Sequence, residues 1–249
     1  MNLLKTFTLA TENPDTFMVY WTNTLMRPRG LLRICVMPQV EDRQIVAELA
    51  AMRYLLEDKA VVGNGIVGNT GTRLIVSLGA IRKLQAMKSD KPHLAPYANF
   101  LTTRFAGCPV SVDKDKSWFD GFPPESAEDL LVSAPKRETL TVAGYGEVSV
   151  THHVLERIAD RFLSAAERSA QTAWKKLLEV ASDASVREVA RHALWASAQY
   201  DRPGKQEGRY FLNARRNLVL VVTDNPNEGK RLVTAYPVSK QFHELPRAA

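Results

Sequence analysis

Residues 41–61 read EDRQIVAELAAMRYLLEDKAV, and this stretch decides the fold of the N-terminal half. Ile45, Leu49 and Met52 recur at intervals of three and four residues, which is the spacing of one face of an α-helix. Two carboxylates open the stretch, where negative charge suits the helix dipole. The pattern therefore predicts an amphipathic helix over about 42–58.

Short apolar runs on both sides of this helix indicate a sheet. FMVYWT (17–22) and LLRICVM (31–37) precede the helix and read as two strands joined by a loop that holds proline and glycine. The elements expected after the helix are a strand at 73–79, a helix at 80–89, a short helix at 93–107 and a strand at 109–115. Strands and helices in this arrangement predict a mixed sheet covered by helices.

The region after these elements reads as a connection between domains. Residues 113–138 mix charges with glycine and three prolines and show little periodicity. Domain boundaries commonly fall in such exposed segments. We therefore predict a first domain at 1–116, a linker at 117–138 and a second domain at 139–249.

The second half predicts helices packed on an antiparallel sheet. Its helical pattern over 151–162 begins at Thr151, a residue type favoured at the N-cap. The other predicted elements are two short strands in 139–151, helices at 167–181 and 184–199, and strands at 209–214, 217–224 and 230–238. Together the two halves predict an α+β protein of two domains.

Composition narrows the class of protein. The 249 residues carry a formal net charge of +6, which permits nucleic-acid binding without requiring it. No apolar run of about 18 residues and no secretory signal are visible, so we expect no membrane segment and a cytoplasmic location. Cys35 and Cys108 stand far apart, which favours free thiols, and no spacing of Cys and His indicates zinc. We predict no metal and no cofactor, and the sequence leaves a homo-oligomer open.

One motif and the order of elements connect the first domain to a known fold. Ala47-Glu48-Leu49 lies within the predicted helix, and the order strand, strand, helix, strand, helix over about 17–115 resembles the ribonuclease H-like fold. In that family this glutamate binds a divalent metal together with aspartates from the first strand, the fourth strand and a late helix. Two-metal chemistry needs such clustered carboxylates to hold the ions and activate water.

The sequence departs from the family pattern at the aspartate positions. The first predicted strand reads VYWTNT, without an aspartate, and Ser77 stands where the family has one after the helix. Asp113 and Asp115 are the late candidates, and both resemble linker residues. If the resemblance holds, we expect a catalytically inactive domain that serves as a scaffold or binding surface. The alternative interpretation of Glu48 is a solvated helix residue.

The helix THHVLERIADRF (151–162) carries the main chemical signal of the second half. His153, Arg157 and Arg161 are spaced by four residues and therefore share one face, opposite an apolar side. A histidine that titrates near neutral pH suits proton transfer in RNA cleavage, and neighbouring arginines suit the phosphate. A solvated basic face, partly paired with Glu156 or Asp160, is the alternative interpretation.

The same region resembles the barnase–EndoU–colicin–RelE-like nuclease superfamily. The resemblance covers about 147–238 and rests on HVLERxxxR (153–161), a helical insert and a three-stranded ending. It implies a site built from the helix histidine, a basic residue and a Thr or Tyr of the last strand. On this sequence the implied catalytic residues are His153, Arg157, Thr234 and Tyr236. The insert at 163–208 is longer than these compact domains usually have.

Basic residues alternate with aromatics at and near the predicted closing strands. This interleaving suits single-stranded nucleic acid, because phosphates meet cations while bases stack on rings. A basic strand edge that only prevents aggregation is the alternative. The predicted nucleic-acid-binding residues are Arg161, Arg202, Lys205, Arg209, Tyr210, Arg215 and Arg216.

Two functions of different classes follow from these patterns. The first is a binding protein for single-stranded DNA or RNA, of phage or plasmid type, in which both nuclease-like domains are degenerate. The second is a metal-independent, toxin-like endoribonuclease that acts through His153. The missing metal carboxylates favour the first, so we predict binding without catalysis. A role in protein interaction is the remaining alternative.

Overall fold

A computed structural model describes residues 2–23, 28–62, 71–119, 123–190, 208–226 and 229–238. The chain forms two compact units, which divide between Lys136 and Arg137. Each unit contains one six-stranded sheet together with α-helices. The predicted α+β class is therefore confirmed. Among the described residues, no helix combines the length and the apolar character needed to cross a bilayer.

The first unit is a mixed sheet with helices. Its strands are β1 (Asn2–Ala10), β2 (Thr16–Asn23), β3 (Arg29–Val36), β4 (Thr72–Val76), β5 (Val110–Val112) and β6 (Glu128–Val132). Its helices are α1 (Arg43–Glu57), α2 (Gly79–Gln85) and α3 (Ala95–Thr102). The strand order is β5-β4-β1-β2-β3-β6. The strands β1, β2 and β3 pair antiparallel, and the outer pairings are parallel.

Strand alternation divides this sheet into two faces. Leu4, Val19 and Leu32 are fully or almost fully buried and share one face, which we call the inner face. Helix α1 contacts β1, β2 and β3, and both α2 and α3 contact α1. The apolar sides of these helices and the inner-face residues form one core cluster. The opposite side of the sheet, which carries Lys5 and Tyr20, is called the outer face below.

Two strands of the first unit were not predicted. Strand β1 lies in the centre of the sheet, and its inner side carries buried threonines among apolar residues, which hides the usual alternation. Strand β6 falls inside the predicted linker at 117–138. That linker prediction is wrong over 128–132, because these residues pair with β3 and belong to the first unit. Five residues at a sheet edge, preceded by prolines, give little periodic signal.

The second unit holds the remaining elements. Its strands are β7 (Glu138–Val142), β8 (Gly146–Val150), β9 (Arg187–Val189), β10 (Gly208–Asn213), β11 (Leu218–Asn225) and β12 (Gly229–Pro237). Its helices are α4 (His152–Phe162) and α5 (Ala170–Ala181). The strand order is β7-β8-β12-β11-β10-β9. The sheet is antiparallel as predicted except where β8 pairs parallel with β12, so the sheet is mixed.

The predicted helix at 151–162 is observed, and its local sequence explains its limits. The Thr151 hydroxyl accepts a hydrogen bond from the Val154 amide and caps the N-terminus. Val154 and Ile158 are fully buried, as the apolar stripe predicts. The helix predicted at 184–199 is wrong in its first part, since β9 occupies Arg187–Val189 and pairs with β10. Its residues from 191 onward lie outside the described part of the chain.

Candidate functional site

The carboxyl group of Glu48 is fully enclosed in the core of the first unit. Its side chain lies on α1 and is 0% exposed. The Thr6 hydroxyl donates to Oε1 at 2.9 Å, and the Ser77 amide donates to the same oxygen at 2.7 Å. The Ser77 hydroxyl donates to Oε2 at 2.8 Å. The interpretation of Glu48 as a solvated residue is therefore wrong.

Three elements build this Glu48 site. Thr6 lies on β1, the first strand, and Ser77 directly follows β4, the fourth strand. These are the two strands from which the ribonuclease H-like resemblance implies metal-binding aspartates. Ser77 was predicted to stand at one such position, and the structure places it beside Glu48. The other position was sought in VYWTNT, which belongs to β2, so Thr6 was not considered.

Burial raises the pKa of the Glu48 carboxyl to about 7, and the hydrogen bonds from Ser77 and Thr6 partly oppose this effect. The late candidate Asp113 does not join the site, since its carboxylate bonds Lys5 Nζ at 2.9 Å. Lys5 lies on the outer face, whereas Thr6 lies on the inner face. Asp115 instead accepts hydrogen bonds from Ser117. The site is therefore one protonatable carboxyl within two hydroxyls, not a carboxylate cluster.

Another group of possible metal ligands lies elsewhere in the first unit. Among the described residues, the one cluster of three such side chains is Glu41, Asp42 and His93. Lys91 Nζ already bonds the Asp42 carboxylate at 2.6 Å, and His93 Nε2 lies 3.4 Å from it. A lysine in this position satisfies the carboxylate and repels a cation. Asp42, Lys91 and His93 therefore form a surface ion-pair network.

In the second unit, the helix α4 brings His153 and Arg157 together as the spacing predicts. Arg157 Nε donates to His153 Nε2 at 3.0 Å, and His153 Nδ1 lies 3.5 Å from Glu156 Oε2. In this arrangement the Nε2 lone pair of His153 accepts the hydrogen bond from the arginine. The side chain of His153 is 51% exposed. Burial lowers the pKa of the neighbouring His152.

The third member of the helix stripe, Arg161, has a different role. Its Nη1 donates to the Ala235 carbonyl at 2.7 Å, and its guanidinium lies 4.6 Å from the centre of the Tyr236 ring. Ala235 belongs to the part of β12 beyond Arg231 and Leu232, the residues that pair with β8. Arg161 therefore satisfies a carbonyl of β12 beyond the residues that pair with β8, and it connects α4 to β12.

The sheet register determines which face carries Thr234 and Tyr236. The Asn213 side chain donates to Val180 of α5, so this residue of β10 faces α5, and its neighbour Leu212 faces away. Leu212 pairs with Val219, and Val219 pairs with Tyr236. Tyr236 therefore lies on the sheet face turned away from α5, and Thr234, two residues earlier, shares that face.

A β-bulge changes the face along β12. Leu232 pairs with Val222, whereas Thr234 pairs with Val221, so Val233 is the extra residue. Leu232 and Thr234 consequently point to opposite faces although they are two residues apart. Among the described residues, no recorded hydrogen bond or ion pair joins His153 to Thr234 or Tyr236. The four implied catalytic residues thus form one pair on α4 and a second pair on the sheet face turned away from α5, where the Tyr236 ring contacts Arg161 of α4.

Of the four predicted binding cations of the second unit that the structure describes, Arg161, Arg209 and Arg216 bond other residues of the protein. Arg209 makes two hydrogen bonds to the Glu188 carboxylate, at 2.7 and 2.5 Å, which raise its pKa, and it lies 4.5 Å from the Tyr145 ring centre. Arg216 pairs with Glu179 at 3.0 Å. Arg215 is exposed in the turn between β10 and β11, and Tyr210 is half-buried on the face of Thr234. The predictions for Arg202 and Lys205 lie outside the described residues.

Comparison of the chain with protein-family models, with curated proteins and with solved structures finds no match. The two nuclease resemblances therefore stay predictions.

Proposed function

We propose that this protein binds single-stranded nucleic acid without cleaving it. The observation that carries the proposal is the Glu48 site, where the Thr6 and Ser77 hydroxyls enclose a single buried carboxyl. Cleavage with two metal ions requires several carboxylates at this place. A ribonuclease H-like scaffold with Thr6 and Ser77 at its aspartate positions would keep the fold and lack the metal ligands.

The second unit supports binding over catalysis. A general base must offer a lone pair to the hydroxyl that it deprotonates, and Arg157 occupies the Nε2 lone pair of His153. The implied partners Thr234 and Tyr236 lie on the sheet face turned away from α5. The resemblance to toxin-type nucleases would then concern the fold and not the activity.

The overall charge favours an anionic polymer as the partner. The chain carries a net charge of +6 and has a pI near 9.3. Lys and Arg side chains attract the phosphate backbone without regard to sequence, and this attraction weakens as salt displaces the contacts. We therefore expect salt-sensitive binding with little sequence preference.

A mobility-shift assay with the full chain tests the proposal. Labelled single-stranded RNA, single-stranded DNA and duplex DNA are incubated with the protein in EDTA and, separately, in Mg²⁺ or Mn²⁺. We expect a shift of the single strands that falls with rising salt, and intact probes under both conditions. Cleavage of any probe, or the lack of a shift at the lowest salt, would contradict the proposal.

A metal-independent endoribonuclease is the second candidate, and the exposed pair of His153 and Arg157 is the observation in its favour. In such a reaction the 2′-hydroxyl loses its proton and attacks the phosphate, and the 5′-oxygen leaves with a proton. The result that supports it is cleavage of RNA but not DNA in EDTA, lost in His153→Ala. Retention of cleavage in that variant would point to a contaminating nuclease.

A further inference from the structure

The outer face of the first sheet carries a set of aromatic side chains. Tyr20 of β2 pairs with Phe7 of β1, so both rings lie on this face. The Phe119 ring stacks on Tyr20 with centroids 4.2 Å apart and lies 5.1 Å from Phe7. Trp118 meets Phe119 edge-on at 5.1 Å and is half-buried. Residues 117–119 therefore place an indole at the surface above the centre of the sheet.

Cations surround this aromatic cluster. Lys5 Nζ lies 5.0 Å from the Trp118 ring centre, and Lys116 Nζ lies 5.6 Å from that of Phe7. The register adds three arginines of neighbouring strands to the same face, since Arg73 pairs with Leu3, Arg29 with Thr22 and Arg33 with Met18. The cations of this face are Lys5, Arg29, Arg33, Arg73 and Lys116.

Carboxylates balance only part of this charge. Asp113 bonds Lys5, Asp129 bonds Arg33 at 3.1 Å, and Asp115 accepts from Ser117. Arg73 and Lys116 are exposed, and neither makes an ion pair with a described residue. The three α-helices of this unit belong to the inner core cluster. Within the described residues, the 3₁₀ turn Ser117–Phe119 stands on the outer face, and a second, Pro124–Ser126, contacts β3 beside Arg33.

We infer that the outer face of the first sheet is the surface that contacts single-stranded nucleic acid, an inference that rests on the proposed function. Exposed cations suit phosphates, and an indole beside them suits an unpaired base, because every base offers a face for stacking. A duplex hides its bases in the stack, so this pairing of indole and cations favours single strands. Arg73 and Lys116 contact phosphates, and Trp118 provides the stacking surface.

Charge reversal with a matched control tests the surface. Arg73→Glu with Lys116→Glu changes one Arg and one Lys of the outer face. Arg82→Glu with Lys88→Glu makes the same change in charge at exposed positions on and just after α2. Binding of labelled oligothymidylate and oligouridylate of about 20 nucleotides, longer than the site of one domain, is measured by fluorescence anisotropy across a salt series. Circular dichroism and thermal melts verify that all variants fold.

We expect the outer-face variant to bind at least about 10-fold more weakly, with a salt slope reduced by about 2, while the α2 variant stays close to wild type. Equal losses in both variants, or unchanged binding in the outer-face variant, would overturn the assignment of the surface while leaving the proposed function intact. Failure of the wild-type chain to bind either probe would overturn both.

Trp118 gives a second, local measurement. Trp118→Phe keeps an aromatic ring at this position and removes the larger indole. We expect this variant to lose part of the fluorescence quenching that accompanies binding and to bind several-fold more weakly, since stacking contributes about 1–3 kcal/mol per base. Unchanged quenching and affinity would show that Trp118 is not part of the surface that binds nucleic acid.

Discussion

The Thr6 hydroxyl donates to Glu48 Oε1 at 2.9 Å inside the core of the first unit and so connects β1 to α1. The Ser77 amide reaches the same oxygen, which adds the end of β4 to the connection. A neutral carboxyl suits this buried place better than a carboxylate, because burial penalises charge. The fold is therefore most stable when Glu48 holds a proton, although the hydrogen bonds from Thr6 and Ser77 partly oppose this effect. The site leads to two predictions.

The first prediction concerns stability against pH. The folded state raises the pKa of Glu48 from 4.5 to about 7, so it binds more protons than the unfolded state within this window. Stability therefore falls as pH rises through the window, by up to about 3 kcal/mol. Glu48→Gln stays neutral and should lose this dependence. Urea unfolding of both proteins across the window measures the difference, which should grow toward high pH.

Glu41→Gln is the matched control for this experiment, because Glu41 is an exposed carboxylate of the same unit. The free energy of unfolding of this variant should change with pH as that of the wild type does. The prediction is wrong if the free energy of unfolding depends on pH in the same way for Glu48→Gln and the wild type. The Glu48 carboxyl would then have the same pKa in the folded and the unfolded state.

The second prediction adds the carboxylates that the ribonuclease H-like resemblance implies. Thr6→Asp combined with Ser77→Asp places two further carboxylates beside Glu48. We expect this variant to be less stable than the wild type without metal, because like charges crowd a buried site. Mn²⁺ or Mg²⁺ should then raise its melting temperature, since carboxylate oxygens are the ligands that these ions take.

Ca²⁺ and the single variants serve as comparisons for the metal experiment. The wild type, with one carboxyl and two hydroxyls, should show no metal-dependent change in melting temperature. A double variant that folds but does not respond to Mn²⁺ would argue that Thr6 and Ser77 do not occupy metal-ligand positions. The ribonuclease H-like resemblance would then lose its main support.

The sequence predicted the elements whose periodicity is strong. Helix α1 and helix α4 lie within about two residues of their predicted limits, because one apolar face dominates each pattern. Strand β1 was missed because Thr6 and Thr8, buried at 1% and 2%, interrupt its apolar side. The hydroxyl of Thr6 bonds Glu48, 42 residues further along the chain, and the local sequence does not reveal such a distant partner.

In the candidate site too, contacts within one helix could be predicted from the sequence, whereas contacts that depend on strand pairing could not. The pair of His153 and Arg157 follows from helical spacing and was predicted. Thr234 and Tyr236 share a face, as strand alternation requires. Which face they occupy was not predicted, since it depends on the bulge at Val233 and on pairing with β11. One extra residue in a strand exchanges its faces, and no pattern within β12 marks that residue.

The third prediction concerns the close approach of β2 and β3. A Cβ atom on Gly30 would lie 2.8 Å from Nε1 of Trp21, whose side chain is buried in the core. Gly30→Ala should therefore force the indole to move and destabilise the fold by about 1–3 kcal/mol. Gly79→Ala, where no atom lies within 4 Å of the added Cβ, is the control. It should be neutral or slightly stabilising in the same urea titration.

The fourth prediction separates a structural arginine from a binding one. Arg161 bonds the Ala235 carbonyl and stacks on Tyr236, so Arg161→Ala should destabilise the second unit by about 1–2 kcal/mol. Hydrogen exchange should speed up in the part of β12 around Ala235. Affinity for single-stranded probes should change less than twofold, because this guanidinium already bonds the Ala235 carbonyl and stacks on Tyr236.

Arg157→Ala provides the comparison on the same helix face. Its partner His153 is half-exposed, so the loss of their hydrogen bond should cost less stability than the loss at Arg161. Comparable stability losses in the two variants would show that the strand-edge contact of Arg161 adds nothing beyond a surface hydrogen bond. A large loss of nucleic-acid affinity in Arg161→Ala, with stability unchanged, would instead place Arg161 in the binding surface.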